Sequence, residues 1–253
     1  MWGYCLKSIR LKYLFISCLC FFALLGVDSH LTASYSNPDA DFYDKEIERL
    51  WYKDPAGYST FKRRVQDRLP QYRDSFESAS RNLDVHWTLI AAISYQESHW
   101  DPRAISNTGV RGMMMLTQKT AKEMGIKKRT DPQQSIYGGA NYFQKTFGRL
   151  PDSIPKLDRI WMSLAAYNLG FLNLDEAREL TAREGKNPDN WTDVVHYLSL
   201  HLENRYGDEA KDKKNKGSKA IEYVDRIKLY YQTLSILEKS KMMEESAHNE
   251  LVL

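Results

Sequence analysis

Residues Thr88–Trp100 read TLIAAISYQESHW. The run begins as the inside of a helical protein does, with Leu89, Ile90 and Ile93 set around two alanines. It then places a carboxylate, Glu97, one turn beyond Ile93. On a helix, residues three and four apart share a face, so Ile90, Ile93 and Glu97 form one stripe. The stripe is expected to face the interior, which makes Glu97 at least partly buried. Burial disfavours the carboxylate anion, and so does the negative end of the helix dipole. Both raise its pKa, and a carboxylic acid still protonated near neutral pH is what a general acid needs. A plainer reading stays open on periodicity alone: a surface glutamate at a helix end, paired with Arg103 or Arg111.

Helical periodicity extends outward from this run in both directions, and no alternating strand pattern or internal repeat stands out. Helices are predicted over residues 41–54, 59–69, 71–83 and 86–99, the last with Asp84 as N-cap and an end forced near Trp100 by Pro102. A turn-rich loop follows from Asp101 to Leu116. Thr117 caps a short helix closed by Gly125, and Pro132 starts one that runs to Phe147. Further helices are expected over 157–168, 171–184, 192–201 and 220–238. A charged loop is expected over 207–218 and a frayed tail from Ser240. The fold class is mainly α.

Composition is that of a soluble globular domain: 253 residues, 42% hydrophobic and 27% charged. Lys7, Arg10 and Lys12 outweigh Asp28 by two within residues 1–33, which leaves +1 for the rest of a chain of net charge +3. That balance gives no electrostatic case for nucleic acid. The same segment holds a 14-residue apolar run, Leu14 to Val27, short against the roughly 20 residues of a membrane span. It suits a signal peptide, with a retained anchor or a lipoprotein site at Cys18 as alternatives. All three cysteines (Cys5, Cys18, Cys20) lie there, so an exported body would fold without disulfides and without a catalytic thiol.

The loop after Glu97 contains Ser106-Asn107-Thr108-Gly109-Val110-Arg111-Gly112 and then Met113, Met114 and Met115. Its glycines imply backbone close to something else, and methionines suit either a core or an adaptable apolar surface. Glu97-Ser98, this loop, and Ala165-Ala166-Tyr167-Asn168-Leu169-Gly170 together resemble, in order and spacing, the three motifs of family 1 lytic transglycosylases. YQESHW, GVRGMMMLT and RTDPQQSIYGGANY resemble the F-type, membrane-bound branch. The resemblance covers residues 66–238. It implies a lysozyme-like (goose-type, SLT) domain there, with a targeting segment or anchor at 1–33, a helical extension at 34–65 and a flexible tail at 239–253.

The resemblance also implies an activity. The expected enzyme is a carbon–oxygen lyase that cleaves the β-1,4 bond between N-acetylmuramic acid and N-acetylglucosamine in peptidoglycan. Glu97 would act as the single acid/base and leave a 1,6-anhydromuramic end. Ser106 would contact the acetamido group, and Tyr167 would orient the catalytic carboxyl. Met115, Asn168 and Tyr223 would complete the sugar-binding set, with Tyr223 walling the groove. Each has a plainer alternative: a turn-capping serine, core packing for the tyrosines, a helix cap for Asn168. Met115 departs from the family's usual glutamine and removes a polar contact to sugar. The branch's large amino-terminal domain, similar to solute-binding proteins, has no counterpart of its size here, so regulation by it is not expected. The expected partner is the glycan strand of peptidoglycan, with the envelope membrane through the N-terminal segment; no protein partner is indicated. Neither cofactor nor metal is expected: the six histidines show no H-E-x-x-H pairing, and His196 and His201 share no helix face. A muramidase-type hydrolase with Asp101 as second carboxylate, and a non-catalytic wall-binding protein on the same fold, are the rival readings.

Overall fold

A computed structural model describes residues 38–206 and 216–251. The targeting segment, the three cysteines and most of the charged 207–218 loop lie outside the described residues. The chain divides after Phe42, and residues 43–253 form the unit that holds the site.

Ten α-helices and one short 3-10 turn are present among the described residues, with no strand. They are α1 (Pro38–Leu50), α2 (Pro55–Asp67), α3 (Arg73–Ser80), α4 (Trp87–Ser98), α5 (Gln118–Glu123), α6 (Pro132–Gly148), α7 (Lys156–Leu169), α8 (Phe171–Arg183), α9 (Trp191–Tyr206) and α10 (Lys216–Leu251). None is long and apolar enough to cross a membrane.

The TLIAAIS run forms the central helix, α4. It is buried on every face rather than along one stripe: Leu89 through Ser94 have no exposed surface. Such a helix needs neighbours all round, and α10, α3 and α6 supply them. Ala91 and Ala92 keep its girth small enough for that enclosure. Its N-cap is His86, not Asp84. The His86 ring nitrogen accepts from the Thr88 N–H at 3.4 Å, while Asp84 is drawn off to an ion pair with Lys156 at 2.8 Å. The helix starts too late for an aspartate at 84 to reach its first free N–H groups.

At its other end α4 stops sharply. His99 and Trp100 are both left-handed, with φ of 54° and 58°. For non-glycine residues that costs about 1–2 kcal/mol each. Trp100 is buried and donates its indole N–H to Ala91 O at 2.9 Å, and Arg68 donates to His99 O at 2.9 Å; together these hold the turn.

α2 and α10 depart from their expected bounds. α2 begins at Pro55 because Asp54 accepts from Gly57 N and caps it. α10 begins at Lys216, and it runs on past Ser240 to Leu251. Lys241 and Glu245 pair at 3.7 Å along that last stretch, and Tyr43 donates to Met243 Sδ at 3.1 Å. An aromatic group of Trp51, Phe61, Tyr95, Trp100 and Tyr230 links α2, α4, α10 and the turn after α1 within one core. Phe61 stacks on Tyr230 with centroids 5.3 Å apart, and Trp51 donates to Thr233 Oγ1 at 2.8 Å.

Candidate active site

Glu97 is the penultimate residue of α4, so the enclosed helix delivers its carboxyl to the point where the core opens. By accessible surface the side chain is only partly buried, because it faces a cleft; by the protein packed around it, it is deeply enclosed. The enclosure governs the proton, since solvation of an anion depends on the surrounding volume and not on a narrow accessible window. Desolvation pushes the Glu97 pKa from 4.5 to about 7, against the opposing pull of a hydrogen bond from Tyr223. That hydroxyl, carried on α10, donates to Glu97 Oε1 at 2.6 Å.

The cleft measures about 560 Å³. Glu97, Ser106, Met115, Tyr167 and Asn168 all line it, so residues far apart in sequence meet at one place. Glu97 is the one carboxylate among the described lining residues. Asp101, the candidate second carboxylate, instead accepts from the Arg103 backbone N–H at 2.9 Å and forms a turn. Arg103 pairs with Asp101 and leaves Glu97 alone.

The loop that walls the cleft is fixed to α4 by serines. Ser94 and Ser98 both donate to Met113 O, at 3.1 and 2.8 Å. The serine beside the glutamate thereby holds the loop. Met113 and Met114 are wholly buried, and Met114 N donates to Ser135 Oγ at 3.1 Å. Only Met115 turns to the cleft, at a left-handed φ of 45°. Gly112, at φ 85°, passes so close to α6's approach that a Cβ would lie 1.9 Å from Arg129 O. Gly139 on α6 likewise leaves room for Met114.

The two tyrosines differ from expectation in their partners. Tyr167 donates to Met114 O at 3.3 Å, and the hydroxyl on the carboxyl comes from Tyr223. Burial, and then the charge of Glu97, hold both phenols well above their ordinary pKa, so both stay donors. Ser106 is at once a turn residue and a lining residue. Its Oγ accepts from Thr108 N and Val110 N, each at 3.2 Å, while facing the cleft. Tyr142 is an addition: it lines the cleft and meets Tyr167 edge-on at 5.0 Å. Its signal was helical spacing, since it lies on the face of α6 that carries Gly138 and Gly139. Trp100 and Trp161 are core residues, and Trp191 packs against that core.

Residues 74–190 match the family model described as the transglycosylase SLT domain. Flanking the SLT domain, likeness to curated proteins runs further. Membrane-bound lytic murein transglycosylase F of Alcanivorax borkumensis is 48% identical over 187 residues, 74% of this chain and 40% of that protein. Its namesake from Saccharophagus degradans is 44% identical over 198 residues, 78% of this chain and 40% of that protein. The chain thus spans about 40% of the length of these relatives. Among solved structures, the 70 kDa soluble lytic transglycosylase of Escherichia coli aligns over 77% of this chain and 29% of its own, with a TM-score of 0.50 at 18% identity. That likeness concerns the lysozyme-like helical fold.

Proposed function

We propose that the SLT domain is a peptidoglycan lytic transglycosylase with Glu97 as its single acid/base. The observation that carries this reading is a carboxyl of pKa about 7 in a cleft lined by no other described carboxylate. Two-carboxylate glycosidases place their acid and their base or nucleophile at set separations across the bond. Here one group performs both proton transfers. Neutral Glu97 protonates the glycosidic oxygen as the β-1,4 bond between N-acetylmuramic acid and N-acetylglucosamine breaks. The substrate's own N-acetyl group stabilises the cation that develops at the anomeric carbon. The carboxylate so formed is met by the Tyr223 hydroxyl at 2.6 Å, which stabilises the anion and fixes its direction. It then takes the proton of the muramic C6 hydroxyl, whose oxygen closes on the anomeric carbon. The product ends in a 1,6-anhydro ring, no water is consumed, and Glu97 is again neutral.

The remaining lining residues bind sugar. Ser106, Tyr167 and Asn168 offer polar atoms to the acetamido and hydroxyl groups, and the Tyr142–Tyr167 pair offers a ring edge. Met115 offers an adaptable thioether contact in place of an amide. The reading places the chain in the cell envelope, with residues 1–33 as signal or anchor. Digestion of purified peptidoglycan, followed by mass spectrometry, tests it. Products one water lighter than hydrolytic ends are expected, and Glu97→Gln should yield none. Ends carrying the added water would assign the domain to hydrolysis.

A further inference from the structure

The cleft does not end at its own wall. Thr108, Val110 and Thr117 also line a second groove, of about 840 Å³. Every charged side chain that lines this groove is basic: Arg111, Lys127, Lys128 and Arg129. Arg129 is partly engaged, since one guanidinium nitrogen donates to Leu116 O at 2.8 Å. Among the described residues, no carboxylate pairs with Arg111, Lys127 or Lys128. The segment carrying the lysines is fixed: Gln134 Oε1 accepts from the backbone N–H of Lys127 and of Lys128, at 3.2 and 3.0 Å. Four cations on one concave surface raise a positive potential that concentrates anions there. Its volume is in the upper part of the roughly 300–1,000 Å³ range of ligand clefts. A lone phosphate would leave most of it empty, whereas a peptide of several residues fills it.

We propose that this basic groove receives the acidic peptide stem of the muramic acid residue, with stem carboxylates on Arg111, Lys127 and Lys128. The inference rests on the peptidoglycan reading of the cleft. A stem leaves the sugar ring sideways from the glycan strand, beside the scissile bond. It therefore needs a groove that branches from the cleft, and Thr108, Val110 and Thr117 mark such a branch. The groove thereby sets substrate preference, favouring strands that carry stems with free carboxylates over bare or amidated ones.

The test uses the full-length chain carrying Glu97→Gln, so that nothing is cleaved, and titrates it with free L-alanyl-γ-D-glutamyl-diaminopimelate. Exposed charge pairs are individually weak, so reversing two of them (Lys127→Glu with Lys128→Glu) should weaken binding roughly five- to tenfold. Amidation of the peptide's carboxylates should weaken it similarly. Should the reversed pair fail to fold, Lys127→Gln with Lys128→Gln makes the same comparison. Undetectable binding, equal binding by the double variant, or equal binding of the amidated peptide overturns the inference. So does polyglycerol phosphate binding as tightly as the peptide, which would give the groove to phosphate polymers. Cleavage assays of the Glu97-bearing chain on stem-bearing and stem-free strands separate this inference from the activity. Cleavage without peptide binding removes the stem groove alone. Peptide binding without cleavage of either strand removes the proposed activity and leaves the groove assigned to the acidic peptide.

Discussion

At the scale of single residues, the proposed chemistry depends on what burial does to one proton. Glu97→Gln keeps the shape and removes the acid. A general acid contributes about 10²–10⁴ in rate, so turnover should fall at least a hundredfold in a released-muropeptide assay. The pH profile follows from the pKa of about 7. In the proposed mechanism the protonated form starts the reaction, so kcat/KM should be level below pH 7 and decline above it. Tyr223→Phe deletes the one interaction that lowers that pKa, so the alkaline limb should move to higher pH. Stability follows the same proton. Folded Glu97 has a pKa above its ordinary 4.5, so the folded chain holds the proton more tightly than the unfolded one. The resulting stability is complete below pH 4.5 and is lost as pH rises through about 7. Allowing for the opening onto the cleft, Glu97→Gln should be about 2 kcal/mol more stable than the parent at pH 8 and little different at pH 4, by thermal melting. The glutamate was legible because a carboxylate interrupts an apolar run. The resemblance marks Tyr223 only as a groove wall and assigns the carboxyl to Tyr167: Tyr223 is separated from Glu97 by most of the domain, and nothing local marks which tyrosine reaches the carboxyl.

At the scale of elements, the site is a loop fastened to a helix. Met113 O takes two serine hydroxyls, and Gly112 fits only because it lacks a Cβ. Replacing Ser94 and Ser98 together by alanine would strand a buried carbonyl, at a cost of about 1–3 kcal/mol. Gly112→Ala meets both a left-handed φ and Arg129 O, and should lower both melting temperature and turnover more than the double serine change does. Periodicity located most of the helices, since apolar spacing reports which face is buried. It misjudged their ends where long-range partners decide. Asp84 is claimed by Lys156, Asp54 captures the start of α2, and α10 continues on good helix formers with Met243 against Tyr43. It also read α4 as one-sided, because a helix enclosed on all faces has no polar side for a periodic pattern to show.

At the scale of the whole molecule, residues ahead of the SLT domain share its core. Phe61 packs on Tyr95 and Tyr230, and Trp51 on Phe61 and Tyr230. Phe61→Ala should therefore cost about 3–5 kcal/mol, and a chain beginning at residue 66 should melt well below the parent. Unchanged melting of the shortened chain would show the extension to be dispensable. The most direct measurement is a carbon-13 titration of the Glu97 carboxyl, assigned by its loss in Glu97→Gln. The account predicts a midpoint near 7. A midpoint at the ordinary value of 4.5 would contradict it, because no neutral acid would then be present where the sugar bond is to break.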